Sequence, residues 1–412
     1  MNVSVATRYA VRSLGRNLRR TLLSAVGVGI GCAIGLVTIG WVRGERSLFV
    51  RAAAESGAGH LRIAPAGWAR RHDDALRLRD PEHELAAARA LDGVAIATPR
   101  VRTQALLALG TRTSSVEIVG VDPRTEARAL RFVRHVSRGR YLRPGDDNAV
   151  VVGRALARRL DADLDDDLVA TAIGAGGSMQ STMLHIVGIV DTGSREIDLA
   201  LCQVMLSDAE RLTGRPGLGE VTLLLRDAET LEAARQALAS AVAPGDTVLA
   251  WYDVSPELRA GVDIDAAWAN VTIIIVLFVV FLGVASAQLT AVLERRRELA
   301  VLAAIGMRTR VMVRLVLAEG LALGLAGALF ALGIGVPALW YLSSHGVDIR
   351  ALVQGDLTLS GVLVDPVFHA DLGLWVVPYA LVLAVAATVL ASIYPAWFAA
   401  RTDPAVSLRA AP

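Results

Sequence analysis

Four apolar runs constrain this chain more than any other feature of its sequence. Each is longer than the ~18 apolar residues that a helix needs to cross a bilayer. The runs are Thr21–Val42, Ala267–Val292, Leu315–Leu342 and Leu374–Ala396. Hydrophobic residues make up 54% of the 412 residues, which is above the ~45–50% share found in soluble domains. The sequence therefore predicts an α-helical membrane protein with four transmembrane helices.

The segment Arg43–Ala266, between the first two runs, is too long for a loop and polar enough to fold in water. Short β-branched runs predict strands at Val94–Leu109, Ser115–Gly120, Ala149–Val152, Leu168–Ile173, Met183–Val190 and Glu220–Leu225. Helical patterns cover Pro81–Leu91, Gly153–Leu160, Asp208–Thr213 and Thr230–Val242. We therefore expect a large α+β domain inserted between helices 1 and 2, with more than one subdomain.

Arginines in the short polar segments predict the orientation, because such loops stay in the cytoplasm. They precede the first run and surround the loop between the second and third, whereas 343–373 has one arginine and several aspartates. Both termini are therefore expected inside and the α+β domain outside. The expected segments are an inner helix (1–20), spans (21–42, 267–293, 315–342, 374–397), the outer domain (43–266), an inner segment (294–314), an outer loop (343–373) and an inner tail (398–412).

Arg8, Arg12 and Arg16 recur every four residues before the first span, opposite a stripe of Ala and Leu. This spacing predicts an amphipathic helix in the inner membrane interface, with its arginines toward anionic lipid headgroups. An ordinary basic flank that only sets topology is the alternative. Both interpretations keep this end of the chain inside.

Small residues at helical spacing predict where the spans pack. Gly27, Gly31 and Gly35 share one stripe of the first span, and Gly320 and Gly324 do the same in the third. Such stripes allow helices to approach closely. The neighbouring Glu319 lies about one turn from the inner end, where we expect it to pair with an arginine such as Arg314.

The composition and the motifs of the sequence exclude several kinds of function. The net charge of +2, without a basic patch that includes aromatics, does not indicate nucleic-acid binding. All 42 basic residues are arginine, so the lysine of a P-loop ATPase is absent from this sequence. Cys32 and Cys202 form no disulfide framework. We expect no catalytic residue.

Two motifs resemble sites only in part. The series that starts at Asp161 lacks the glycine and the glutamate of a calcium loop, since Asp166 and Ala172 stand there. A solvated acidic turn is the favoured interpretation, and no metal site is predicted. The segment Gly176–Gln180 does not fit a nucleophile elbow and is typical of a hairpin connection.

A charged and then apolar segment, Glu294–Met307, lies in the loop between the second and third spans. A membrane loop has no need of such a helix-forming pattern. The segment therefore indicates a surface offered to a partner at the inner face of the membrane.

Together with the span pattern, four motifs carry a resemblance to a known family over nearly the whole chain. They are Asn17–Ser24 at the entry to the first span, Glu294–Met307, Glu319-Gly320 and Tyr394–Pro404. The chain resembles the permease subunits of the FtsX/MacB/Lol group of bacterial ABC transporters, the mechanotransmission systems. In the outer domain, Gly120–Pro123, Gly153–Leu168 and Val187–Gly193 are similar to the family's periplasmic core. Asp161 and Asp165 depart from the family's pattern, which often has glycine at both positions.

The resemblance implies an inner-membrane permease whose large domain is periplasmic. ATP and Mg²⁺ would be bound by a separate cytoplasmic ATPase dimer, and this chain would bind no cofactor and catalyse no reaction. The ATPase would hold the coupling helix within 294–314. Leu299, Leu302 and Ile305 would fill its groove, Glu294, Arg295, Arg296 and Glu298 would set the electrostatic register, and Gly306 lies in the same segment.

The implied partners are a second permease copy or a paralogue, membrane lipid, and a periplasmic lipoprotein or other substrate with a periplasmic carrier. Glu196-Ile-Asp198 and the outer loop are more similar to the lipoprotein-releasing Lol subunits than to the macrolide exporters. The alternative is a membrane-anchored interaction or sensor protein whose inner helix binds a partner other than an ATPase. Lipoprotein, peptide, antibiotic and lipid exporters share this architecture.

Overall fold

Two sets of sequence segments build two separate units in the computed structural model, which describes residues 18–68, 75–254, 256–294, 297–298, 300–301, 305, 307–350, 357–359 and 362–400. The first unit contains residues 18–45, 263–347 and 369–400. The second contains residues 46–262 and 348–368. The expected inner helix at 1–20 and tail at 398–412 lie mostly outside the described residues.

The helices are α1 (Leu18–Ala53), α2 (Pro81–Ala90), α3 (Pro123–Ala129), α4 (Arg154–Leu160), α5 (Arg195–Ala200), α6 (Leu206–Thr213), α7 (Leu231–Ala241), α8 (Trp251–Val254), α9 (Pro256–Glu294), α10 (Thr309–His345) and α11 (Val376–Ala400). Within the described residues, α1, α9, α10 and α11 are long and apolar enough to cross a membrane. An α-helix satisfies its backbone hydrogen bonds internally, which a segment inside a bilayer requires. Three of these helices, α1, α9 and α10, are clearly longer than the apolar runs that predicted them.

In the first unit, α1 contacts all three other long helices through glycines or small residues. A Cβ added at Gly31 would lie 2.1 Å from Val280 Cγ2 of α9, and one at Gly29 would lie 2.4 Å from Phe330 Cβ of α10. At Gly35 the nearest atom is Leu383 Cδ2 of α11, at 3.3 Å. The core of this unit is correspondingly rich in alanine, valine and leucine. Close backbone approach therefore holds these helices together.

A polar contact joins α1 to the chain just before α11. Arg43 Nε lies 2.8 Å from Asp371 Oδ2, and the indole N–H of Trp375 donates to the same oxygen at 3.0 Å. The Arg43 guanidinium also lies over the Trp375 ring, 5.0 Å from its centroid. Aromatic and arginine side chains of this kind are typical of membrane interfaces.

The strands are β1 (Leu61–Pro65), β2 (Val94–Leu109), β3 (Arg112–Val121), β4 (Val136–Gly139), β5 (Ala149–Gly153), β6 (Asp167–Ile173), β7 (Met179–Val190), β8 (Cys202–Met205), β9 (Glu220–Leu225), β10 (Asp246–Ala250), β11 (Val347–Asp348), β12 (Leu357–Leu359), β13 (Val362–Val364) and β14 (Val367–Phe368). All six predicted strands are present. Strands β1, β4, β8 and β10 and helices α3 and α5 were not predicted, because each is short and has no clear period.

Six strands of the second unit close on themselves. The pairing runs β2–β3–β8–β5–β7–β6 and returns from β6 to β2. Leu107, Ile118, Leu168, Leu184 and Ile186 are among the fully buried side chains that form one core with helices α4 and α6. We call these six strands the ring. They form a small closed barrel filled by side chains.

The other half of the sheet extends from β2 in the order β9, β1, β10. Its own core joins Leu61, Ile63 and Leu223 to Leu231 and Leu238 of α7. Helix α2 packs on the same half and starts at a proline preceded by Asp80, whose carboxylate accepts the His83 N–H at 3.1 Å. One ten-stranded sheet thus carries these two cores and a third, in which Val121, Val151 and Val190 are buried with Phe132 and Leu142.

Part of the segment expected as an outer loop belongs to the second unit. Arg131 Nε lies 2.7 Å from Glu55 Oε2, and its Nη2 lies 3.3 Å from Asp365 Oδ2. The Leu363 N–H donates to Ser56 Oγ at 3.2 Å. The described parts of 348–368 therefore pack with the outer domain, which the sequence did not predict.

Candidate functional site

The segment between α9 and α10 carries exposed apolar side chains. Arg297 and Glu298 are helical and exposed, and Ala300 is buried. Val301 is 42% exposed and Ile305 is 78% exposed. The Ile305 N–H donates to the Val301 carbonyl at 3.1 Å, as in a helical turn. Val301 and Ile305, four positions apart in the sequence, are therefore two exposed apolar residues of this segment.

The predicted coupling residues are described only in part. Glu294 ends α9, and Glu298 and Ile305 lie at exposed positions. Arg295, Arg296, Leu299, Leu302 and Gly306 lie outside the described residues. Val301 was missed by the sequence analysis, although its spacing of four from Ile305 was a usable signal.

A small apolar core fixes the ends of the three helices that meet near this segment. Val292 of α9, Met312 and Val316 of α10, and Ala396 and Ala399 of α11 are buried together. Partly buried Met307 packs against them. The segment therefore begins and ends on packed residues, while Val301 and Ile305 remain exposed.

Glycines of α10 bring α11 into close contact. A Cβ at Gly320 would lie 2.1 Å from Ser392 Oγ, and one at Gly324 would lie 2.3 Å from Thr388 Oγ1. Both hydroxyls donate to carbonyls of their own helix, with distances of 2.6 Å for Ser392 and 2.7 Å for Thr388. Both hydroxyl groups thus have hydrogen-bond partners within α11, and the contact between α10 and α11 depends on close packing.

Two other predicted packing residues differ from these. No described atom lies within 4 Å of a Cβ added at Gly27, so its role in packing stays a prediction. Glu319 is half-buried in α10 and Arg314 is exposed. The pairing of Glu319 with Arg314 also stays a prediction.

The acidic turn after α4 forms ion pairs with arginines. Asp161 Oδ2 lies 3.2 Å from Arg112 Nη2, and Asp163 pairs with Arg138. Asp161 and Asp165 have left-handed backbones with φ of 57° and 69°, which is a conformation that glycine adopts more readily than other residues. Over the described residues, no group of three or more potential metal ligands occurs.

An exposed apolar stripe follows the β6–β7 hairpin of the ring. Val169 lies opposite Met183, and Ile173 lies opposite Met179. All four side chains and the nearby Leu106 are exposed. The hairpin ends in the turn predicted from Gly176–Gln180, where Gly176 and Gly177 have φ of 72° and 80°. Exposed apolar groups of this extent are typical of interaction surfaces.

Two family profiles match the chain and together cover most of it. The profile described as MacB-like periplasmic core domain matches residues 21–241. The profile described as FtsX-like permease C-terminal matches residues 270–404. The first includes most of α1 and most of the second unit, and the second includes most of α9 and all of α10 and α11.

Curated relatives match along almost the entire sequence. The lipoprotein-releasing system transmembrane protein LolC of Xylella fastidiosa is 23% identical, over 99% of this chain and 98% of the relative. LolE of Haemophilus influenzae is 21% identical, over 93% and 92%. The macrolide export ATP-binding/permease protein MacB of Wolinella succinogenes is 23% identical, over 98% of this chain but 60% of MacB. The chain belongs to the ABC-transporter permease family defined by an FtsX-like permease region and a MacB-like periplasmic core domain.

Proposed function

We propose that this chain is the permease subunit of an inner-membrane ABC transporter that releases lipoproteins toward the outer membrane. The observation that carries the proposal is the end-to-end match to LolC, which spans 99% of this chain and 98% of the relative. The four long apolar helices found among the described residues, together with an outer domain in the same chain, also fit this activity. The outer domain lies in the periplasm, and both termini lie in the cytoplasm.

Energy comes from a separate ATPase dimer that binds ATP and Mg²⁺. The sequence contains no lysine, so it has no P-loop of the usual type. The chain spans 60% of MacB, whose name joins ATP-binding and permease functions. We propose that the corresponding ATPase is a partner chain here.

The ATPase binds the coupling helix within 294–314. Exposed Val301 and Ile305 support this, because apolar residues at i and i+4 fit a hydrophobic groove. Leu299, Leu302 and Ile305 fill the groove, and Glu294, Arg295, Arg296 and Glu298 align the two surfaces. The small core at Val292 and Met312 passes movement of the segment into α9 and α10.

The permease works with a second copy or a paralogue, and a periplasmic carrier receives the released lipoprotein. The exposed stripe at Leu106, Val169, Ile173, Met179 and Met183 supports an apolar ligand or partner on the outer domain. The substrate is worked on in the periplasm and is not carried through the bilayer.

Replacing Leu299 and Leu302 with Asp tests the coupling helix. We expect the variant to insert and fold normally but to lose binding to the ATPase, because charged groups cannot enter an apolar groove without a partner. Pull-down of the ATPase and ATP-driven lipoprotein release from spheroplasts measure the effect. Leu106→Asp, a single change of the same kind at an exposed site of the outer domain, should keep ATPase binding. Normal binding and release by the double variant would contradict the proposed coupling helix.

The substrate is tested by purifying the complex with its ATPase and identifying bound molecules by mass spectrometry. Lipid-modified proteins enriched over a sample treated with ATP support lipoprotein release. A preparation that retains only small export substrates would instead assign the chain to efflux.

A further inference from the structure

The end of α1 leads into the outer domain through an unusual turn. Residues Ala54–Ala58 form a single π-helical turn, in which Gly57 has φ of 121°. The Gly59 N–H closes the turn on the Ala54 carbonyl at 3.1 Å. Strand β1 begins two residues later, at Leu61. Carbonyl groups at such a helix end need hydrogen-bond donors from elsewhere in the structure.

Arg100 of β2 supplies one donor from a buried position. Its side chain is 2% exposed, and its Nη1 donates to the Gly57 carbonyl at 2.5 Å. Its Nη2 lies 2.8 Å from Oε1 of Glu126, a fully buried residue of α3. One guanidinium therefore joins the turn after α1 to the centre of the domain.

The connection continues from Glu126 to the ring. Thr98 Oγ1 donates to Glu126 Oε2 at 2.7 Å, and Gln203 Nε2 donates to the other Glu126 oxygen, Oε1, at 3.5 Å. Tyr141 donates in turn to Gln203 Oε1 at 2.6 Å. Burial, and then the charge of Glu126, hold the pKa of Tyr141 well above its usual range, so the phenol keeps its proton. Gln203 belongs to β8, a ring strand.

Arg62 of β1 makes a second connection to the same turn. Its Nη2 donates to the Ala58 carbonyl at 3.4 Å, and its Nη1 lies 3.0 Å from Glu220 Oε2. Arg102 Nε lies 2.9 Å from the other oxygen of Glu220, and Arg102 Nη1 lies 2.6 Å from Glu117 Oε2. Burial alone would raise the pKa of Glu220, but Arg102, Arg62 and Arg100 outweigh it and hold the pKa at about 2.

The buried ion pairs of Arg100 and Arg62 are weak evidence for a gain in stability. Well-packed apolar residues often stabilise a core as much as a buried ion pair does, because the charges lose their hydration. The two buried guanidinium groups instead hold donors in place for the Gly57 and Ala58 carbonyls, and moving the turn away would leave these buried groups without that hydrogen-bond partner. Here the geometry that they fix is the position of the 54–58 turn against the sheet.

We propose that Arg100 and Arg62 are positioning residues that fasten the end of α1 to the sheet, so that displacement of this helix reaches the ring through Glu126 and Gln203. This inference rests on the proposed function, in which the membrane helices drive the outer domain. It assigns the step to a named set of hydrogen bonds. We call the hydrogen bonds from Arg100 and Arg62 to the Gly57 and Ala58 carbonyls the anchor. The anchor can be tested without measuring transport.

The first test measures hydrogen exchange in the full-length protein in detergent. In the double variant Arg100→Met with Glu126→Gln no buried charge is left alone, so the domain should fold. We expect the amides of 54–60 to exchange between about 2-fold and 30-fold faster, the range that coupling energies in such networks span. Exchange in β5–β8 should not change. The control, Arg140→Met with Asp146→Asn, removes an ion pair of 2.7 Å elsewhere in the domain and should leave 54–60 as in the wild type.

The second test measures substrate released per ATP hydrolysed in the complex with the ATPase. We expect the Arg100/Glu126 variant to hydrolyse ATP but to release several-fold less substrate per ATP. The double variant Gln203→Met with Tyr141→Phe removes the hydrogen bonds of Gln203 and leaves those of Arg100 in place. It should release less substrate per ATP, while hydrogen exchange at 54–60 stays as in the wild type.

Unchanged exchange at 54–60 in the first variant would overturn the anchor. Faster exchange with normal release per ATP would overturn the transmission and leave the proposed function intact. If the wild-type complex itself shows no ATP-driven release, the proposed function fails and the transmission role fails with it, while the exchange data still decide whether the anchor exists.

Discussion

His60 is a titratable residue enclosed by the sheet of the outer domain. Its side chain is 3% exposed, and its Nδ1 accepts the Leu225 N–H at 3.2 Å. Burial, and then the nearby charge of Arg51, lower the pKa of His60 from 6.5 to about 4. The imidazole is therefore neutral in the folded domain at pH 7, and protonation has to break this arrangement.

The buried imidazole predicts acid sensitivity in a definite pH window. The unfolded chain takes up a proton near pH 6.5 and the folded domain only near pH 4, so stability from this group is complete above 6.5 and falls as the pH drops toward 4. At pH 5 we expect a loss of about 2 kcal/mol relative to pH 7.5. Denaturant unfolding followed by tryptophan fluorescence measures it.

His60→Asn keeps an acceptor for Leu225 but cannot take up the proton, so it should remove this part of the pH dependence. His83→Asn, at an exposed site in α2, should retain it. Equal pH dependence in the wild type and in His60→Asn would show that His60 is not the group responsible.

At the scale of elements, the contact between α10 and α11 depends on the absence of side chains. In Gly320→Ala the new methyl group would lie 2.1 Å from Ser392 Oγ and 2.9 Å from Ser392 Cβ. Overpacking of this kind costs about 1–3 kcal/mol. We expect a lower unfolding temperature in detergent for this variant.

Gly333→Ala is the matched control in the same helix, because no described atom lies within 4 Å of the added Cβ. Alanine has a higher helix propensity than glycine by up to about 1 kcal/mol, so this variant should be as stable as the wild type or more so. Equal destabilisation by both changes would indicate a general effect on α10 and not a packing contact.

Strand and helix patterns were readable from the sequence where the elements are long. The predicted strands at Val94–Leu109 and Glu220–Leu225 agree with β2 and β9 at both ends. Closure of the ring was not readable, because it depends on pairing such as Ala105 with Ala172, between strands far apart in the chain. Hydropathy also missed the polar part of α1 that extends to Ala53, since charged residues continue a helix as readily as apolar ones.

The candidate sites, too, could be predicted from the sequence only in part. The position of Glu294–Met307 could be predicted from its charge and apolar pattern, whereas the exposure of Val301 required the structure. The network at Arg100 and Glu126 was invisible in the sequence, because both residues look like ordinary surface charges in a strand and a short helix.

At the scale of the whole molecule, cysteine labelling tests the proposed orientation. The native Cys32 and Cys202 are buried, and burial raises the pKa of Cys202 to about 12, so the reactive thiolate is scarce. A membrane-impermeant maleimide should label Glu196→Cys, at an exposed site of α5, in spheroplasts. It should label Ile305→Cys only after the membrane is permeabilised. The reverse pattern would place the outer domain in the cytoplasm.

Closure of the ring also restricts how a protein can bind the outer domain. Each ring strand has a neighbour on both sides, which leaves fewer free backbone groups than an open sheet has, although some pairings are short: β3 pairs with β8 only over Val119–Val121. Of the strands described in this sheet, β4 and β10 end the order, and they have 4 and 5 residues. A partner that binds by strand addition can therefore use these two short edges or the parts of ring strands that pair on one side only, such as Arg112–Ile118 of β3 and Met179–Leu184 of β7. Elsewhere on the ring, partners must bind through side chains.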